Sequence, residues 1–120
     1  MNKRILIIED DPEILSVTTM ILSEEYEVQG IERTEDILLS IKNFKPDLVL
    51  TDYMLPGMSG GQICKVIKNT KETKHIPVIL MTAYHKMAVS LANLNYDAYL
   101  PKPFDIYKLI STVKKLLKQP

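Results

Sequence analysis

Residues 46–60 read Pro46-Asp47-Leu48-Val49-Leu50-Thr51-Asp52-Tyr53-Met54-Leu55-Pro56-Gly57-Met58-Ser59-Gly60. A proline stands just before a short, unbroken apolar run, where it costs a strand little. The run Leu48-Val49-Leu50 has no polar alternation, the pattern of a strand buried on both faces. It ends at a carboxylate, Asp52, which therefore sits beside the core. Ser59 is placed to cap a helix that starts near Gly60. One strand, a connecting stretch and one helix are thus legible in fifteen residues, and the rest of the chain repeats the theme.

Further continuous apolar runs lie at Ile5–Ile8 and Val78–Met81. Tyr26–Val28 and Ala98–Leu100 are weaker strand candidates, and the alternation of Tyr26, Glu27 and Val28 suits an edge. Helical spacing appears at Ile14, Val17 and Ile21, at Ile63, Cys64, Val66 and Ile67, and at Ile106, Ile110, Val113 and Leu117. Pro12 fits a first helical turn, and Asp105 can cap the last helix. Pro77 stands before the fourth strand. The order is βαβαβαβαβα, which right-handed crossovers convert into an α/β fold with a five-stranded parallel sheet and helices on both faces.

Composition narrows the class of protein. A chain of 120 residues makes one domain, residues 1–120, and is too short for two. Fifteen basic residues balance fifteen acidic ones, which removes any general electrostatic reason to coat nucleic acid or an anionic membrane. No apolar run approaches a membrane span, and the short run at the N-terminus is broken at once by Glu9. The single cysteine, Cys64, offers neither a disulfide nor metal-ligand spacing and reads as a buried structural thiol. The expectation is a cytoplasmic protein.

In such a sheet, ligands bind beyond the carboxyl ends of the strands. Those ends carry Glu9-Asp10-Asp11, Thr51-Asp52, Thr82 and Leu100-Pro101-Lys102-Pro103. Asp11 precedes Pro12 and reads as a helix cap. The remaining carboxylates repel one another unless a cation joins them, and an all-oxygen set suits a hard ion such as Mg²⁺. Lys102 adds a mobile positive charge and Thr82 a hydroxyl donor. Such a set can position and neutralise a phosphoryl group, and a carboxylate can itself be the nucleophile that forms an acyl phosphate.

The chain resembles the receiver domain of two-component response regulators over essentially its whole length. The resemblance rests on Ile5-Leu6-Ile7-Ile8-Glu9-Asp10-Asp11-Pro12, on residues 46–60, on Ile76-Pro77-Val78-Ile79-Leu80-Met81-Thr82-Ala83 and on Tyr99-Leu100-Pro101-Lys102-Pro103-Phe104. It implies the flavodoxin-like strand order 2-1-3-4-5, for which a receiver is among the standard examples. It further implies that Asp52 is the phospho-acceptor, supplied by a histidine kinase or histidine phosphotransfer protein. Glu9, Asp10 and Asp52 would bind Mg²⁺ together with the backbone carbonyl of Met54, Glu9 acting through water. Thr82 and Lys102 would grip the phosphoryl oxygens, and Tyr99 would be an aromatic switch coupled to Thr82. The Lys102–Pro103 bond is a candidate cis peptide. Ile14, Leu15 and Phe104 are candidates for the kinase contact.

The expected output is a change in the surface around the fourth helix, the fifth strand and the fifth helix. The expected partners downstream are a protein target and a weak homodimer. Departures from the family pattern lie between Thr82 and Lys102, a segment shorter than usual that has Asn95-Tyr96 where a Gly-Ala pair is common. Asn tolerates a left-handed backbone well enough to preserve the turn. Met54 and Tyr84 flank the acceptor and are expected to modulate the lifetime of its phosphoryl group. An aspartate-nucleophile phosphatase would need a second carboxylate two residues beyond Asp52, where Met54 stands. A receiver that only binds proteins would not need Asp10, Asp52, Thr82 and Lys102 together. A flavin site would not place Glu9-Asp10-Asp11 where a phosphate must sit.

Overall fold

The chain forms β1 (Arg4–Ile8), α1 (Pro12–Leu22), β2 (Glu27–Ile31), α2 (Ile37–Phe44), β3 (Leu48–Asp52), α3 (Gly60–Asn69), β4 (Val78–Thr82), β5 (Ala98–Pro101) and α4 (Ile106–Leu117). The computed structural model describes residues 2–83 and 95–118. The expected helix between the fourth and fifth strands, and Tyr84 with it, lies outside the described residues. All strand pairings are parallel, and the order is β2-β1-β3-β4-β5. The flavodoxin-like expectation holds.

Two apolar layers sandwich the sheet because β1, β3 and β4 alternate their side chains between faces. Leu6, Ile8, Val49 and Val78 pack on one face against Ile37, Ile41 and Phe44 of α2 and Ile63, Cys64 and Ile67 of α3. Ile5, Ile7, Leu48, Leu50, Ile79 and Met81 pack on the other against Leu22 of α1 and Leu109 and Val113 of α4. Each fully buried aliphatic side chain contributes about 1.5–3 kcal/mol. Cys64 belongs to this core, and burial pushes its thiol up to about 11, so it is structural.

The helix starts agree with the sequence. Asp11 Oδ1 accepts from the N–H groups of Glu13 and Ile14, and Pro12 occupies the first turn. Ser59 and Gln62 form a reciprocal capping box on α3, and Asp105 caps α4. The helix faces differ from the expected ones. In α1 the buried residues are Thr18 and Leu22, whereas Val17 is exposed and Ile14 and Ile21 are half-buried. Thr18 can occupy the core because its hydroxyl donates to Ile14 O at 2.7 Å. In α4 the buried pair is Leu109 and Val113, and Ile106 faces solvent. Strand β2 starts one residue later than expected and runs to Ile31 at the sheet edge.

Candidate functional site

Parallel strands of similar length deliver their last residues to one edge. β1 leads into Glu9, β3 ends at Asp52, β4 ends at Thr82, and β5 leads through Pro101 into Lys102. The register sets Asp52 opposite Met81 and Thr82 opposite Pro101, so Thr82 stands one step beyond the level of Asp52. Glu9 and Thr82 are fully buried and Asp52 is nearly so, whereas Asp10 reaches solvent.

Lys102 joins the carboxylates. Its ammonium donates to Glu9 Oε1 at 2.5 Å and lies 3.2 Å from Asp52 Oδ2. The Lys102–Pro103 bond is cis, as expected, and the Lys102 N–H donates to Thr82 O at 2.9 Å. Glu9 Oε2 accepts the N–H of Asp11 at 3.2 Å, tying the buried carboxylate to the start of α1. The other Asp52 oxygen, Oδ1, accepts the Tyr53 N–H at 2.9 Å.

The charges feel their surroundings. Burial raises the Glu9 pKa above the ordinary glutamate value; the Lys102 hydrogen bond opposes that rise and the Asp52 charge adds to it. Burial works against the Lys102 ammonium as well. There the hydrogen bond to Glu9 and the charge of Asp52 outweigh it, and the Lys102 pKa lies above the ordinary lysine value. One carboxylate oxygen each from Glu9, Asp10 and Asp52 lies within 4.8 Å of the others. Three oxygens so close, with one ammonium between two of them, suit a hard cation by donor type and charge. Met54 leaves the site on an exposed loop, its side chain 53% exposed.

Tyr99, on β5, is half-buried. Asn95 has φ of 61°, so the turn into β5 does use the left-handed conformation that asparagine tolerates. Ile14, Leu15 and Phe104 are half-buried, and Leu15 and Phe104 partly face the core.

Two supporting features were not singled out from the sequence. A Cβ at Gly60 would lie 2.2 Å from Asp52 O and 2.7 Å from Tyr53 Cα, so only glycine lets α3 start this close to the backbone of Asp52. Its N–H donates to Tyr53 O at 2.9 Å. The loop is also held from the β2 side: Met58 N–H donates to Thr34 O at 3.0 Å, and Gly57 turns with φ of 69° against that carbonyl. The signal for both was the stretch Gly57-Met58-Ser59-Gly60 between β3 and the helix that follows it.

Comparison with known proteins gives the same picture. The family profile described as the response regulator receiver domain matches residues 5–114. The DNA-binding response regulator MtrA of Mycolicibacterium smegmatis is 31% identical over 99% of this chain and 52% of its own length. The phosphate regulon transcriptional regulatory protein PhoB of Rhizobium meliloti is 32% identical over 99% of this chain and 54% of its own length. The chain thus spans about half the length of these curated relatives. Among solved structures, the response regulator TrrA of Thermotoga maritima, in complex with Mg²⁺-BeF, is 35% identical with a TM-score of 0.84, covering 96% of this chain and 99% of that one. A receiver domain protein of Methanospirillum hungatei is 34% identical with a TM-score of 0.85, covering 97% and 94%. Motifs at four strand ends, the strand order and the profile match agree: the chain belongs to the response regulator receiver domain family, the signalling modules of two-component systems.

Proposed function

We propose that residues 1–120 form one receiver domain that works as a phospho-accepting switch, with Asp52 as the acceptor. The donor is a phosphohistidine on a histidine kinase or a histidine phosphotransfer protein. An Asp52 carboxylate oxygen attacks phosphorus, the N–P bond breaks, and the leaving imidazole nitrogen keeps the bonding pair and is protonated from solvent. The product is an acyl phosphate. Asp10, Asp52 and the Met54 carbonyl, with Glu9 acting through water, would hold Mg²⁺, which would supply positive charge to offset the negative charge on the phosphoryl oxygens. Thr82 donates its hydroxyl and Lys102 its ammonium to the same oxygens.

The observation that carries this reading is the setting of Asp52: a nearly buried carboxylate, an ammonium at 3.2 Å and two further carboxylates within 4.8 Å. The bound Mg²⁺-BeF of the Thermotoga relative supports it. The domain turns over no outside substrate; its own phosphorylation and hydrolysis, both Mg²⁺-dependent, are its only chemistry. Tyr99 and Thr82 pass the change to the surface of β5, α4 and the segment before β5, where a protein target or a second copy reads it in the cytoplasm. Met54 and Tyr84 set the lifetime of the acyl phosphate.

Intact-mass measurement after incubation with Mg²⁺ and acetyl phosphate tests the proposal. One phosphoryl group should add to the wild type and none to Asp52→Asn. Wild-type protein that takes up nothing from acetyl phosphate or from any histidine donor would leave only a protein-binding role.

A further inference from the structure

A cavity lies at the end of the sheet away from Asp52, beside the C-terminal ends of α2 and α3. The chain leaves α2 through Lys45 and Pro46 into β3, and leaves α3 through residues 70–76 toward β4. The cavity has a volume of about 470 Å³, a size typical of small-molecule sites. Leu38, Ile41, Pro46 and Ile76 supply its apolar surface, and Lys42 and Lys45 stand on its rim.

The charge around this cavity is unbalanced in a chain whose total charge is zero. Its lining holds two lysines, Lys42 on α2 and Lys45 just after that helix, and His75, against the single acid Glu72. Among the described residues, neither the Lys42 nor the Lys45 ammonium makes an ion pair or hydrogen bond. Against these two cations the cavity sets one carboxylate, Glu72. An apolar hollow with surplus positive charge complements a molecule with an apolar body and one anionic head.

We propose that this cavity binds a small amphipathic anion, its aliphatic or aromatic body against Leu38, Ile41, Pro46 and Ile76 and its acidic head against Lys42 and Lys45. The site is separate from the acceptor carboxylate and independent of phosphorylation. Titrating the ¹⁵N-labelled chain with octanoate, and following amide shifts, tests this directly. Octanoate should saturate with Kd on the order of 0.3 mM, with the largest shifts at Leu38, Ile41 and Ile76. Octanol lacks the charge and inorganic phosphate lacks the body, so each should bind at least about fivefold more weakly.

The Lys42→Gln, Lys45→Gln double variant keeps the apolar surface and should lose about tenfold in affinity. Asp52→Asn should bind octanoate as the wild type does, which separates this test from that of the acceptor. Shifts that never saturate, that centre elsewhere, or that persist unchanged in a folded double variant would overturn the proposal. So would a titration that changes the rotational correlation time, because the cleft would then be taking a second copy of the chain.

Discussion

Two lysines, one at each end of the sheet, pair with carboxylates in opposite ways. Lys68, on α3, donates to Ile76 O at 2.8 Å and to Lys74 O at 3.4 Å, and lies 2.7 Å from Asp97 Oδ2. The same Asp97 oxygen takes the Val78 N–H at 2.8 Å. One ammonium meets one carboxylate and neutral dipoles, and the local charge sums to zero. Lys102 meets Glu9 and Asp52, with Asp10 beside them, so one ammonium answers three carboxylates. The first arrangement is complete and binds the entries of β4 and β5 to α3. The second keeps a negative surplus around Asp52, tolerable only where a cation or a changing charge is part of the chemistry. Similar side chains thus give a closed brace at one edge and an open site at the other.

The sharpest way to break this contrast is to remove the lysine at the open end. Lys102→Met should lower the rate of phosphoryl uptake from acetyl phosphate on the order of 100-fold, the usual cost of losing one preorganised donor to a developing anion. Its stability should fall too, because Glu9 is left buried without its cation, so the rate of uptake is the readout that separates the two lysines. A large loss of stability with uptake intact would make Lys102 a brace like Lys68. Gly60→Ala comes next. A methyl group 2.2 Å from the Asp52 carbonyl forces backbone apart, costing about 2–3 kcal/mol in urea unfolding and slowing uptake, since the displaced backbone carries the nucleophile.

The sequence made the open end far more legible than the closed one, for physical reasons. Strands β1, β3 and β4 are buried on both faces, so their composition alone marks them, and parallel topology then dictates that Glu9, Asp52 and Thr82 converge. Lys102 could be placed with them because the strand before it ends at the same edge. Its direct bond to Glu9 joins residues 93 positions apart, and no local pattern encodes that. The Lys68–Asp97 brace is hidden for the same reason, since a lysine on an amphipathic helix ordinarily reads as solvated. Thr18 misled differently: its hydroxyl finds its own partner within α1, so a polar residue takes the position where the apolar spacing pointed to Val17. Gly60 was read as a helix start, whereas its decisive property is the space it leaves empty.

At the closed end the expected effect is smaller and of the opposite kind. Lys68→Met should cost about 1–2 kcal/mol, because it leaves Asp97 without its cation but still about a third exposed to water. Phosphoryl uptake should stay within about twofold of the wild-type rate when measured well below the melting temperature. Uptake that falls along with stability would mean that the two ends are coupled through β4, and the contrast would have to be redrawn.

The smallest effect is a pH dependence confined to the open end. Burial raises the Glu9 pKa above 4.5, so the folded chain holds that proton more tightly than the unfolded chain does. The associated stability is fully present below 4.5 and is lost as pH rises through the folded value. Lys102 has the same sign at the other extreme: its contribution is present below 10.5 and disappears as pH rises through its raised folded value. Urea unfolding in EDTA should therefore show the wild type gaining on Glu9→Gln as pH falls from 7 toward 4.5, and the difference levelling off below that. Taking the difference cancels the titration of carboxylates common to both proteins. Added Mg²⁺ should flatten the rise, because a cation beside Glu9 favours its ionised form. A difference that is constant with pH, or that shrinks as pH falls, would mean that Lys102 neutralises Glu9 as fully as Asp97 is neutralised by Lys68, and the open end would be a second brace.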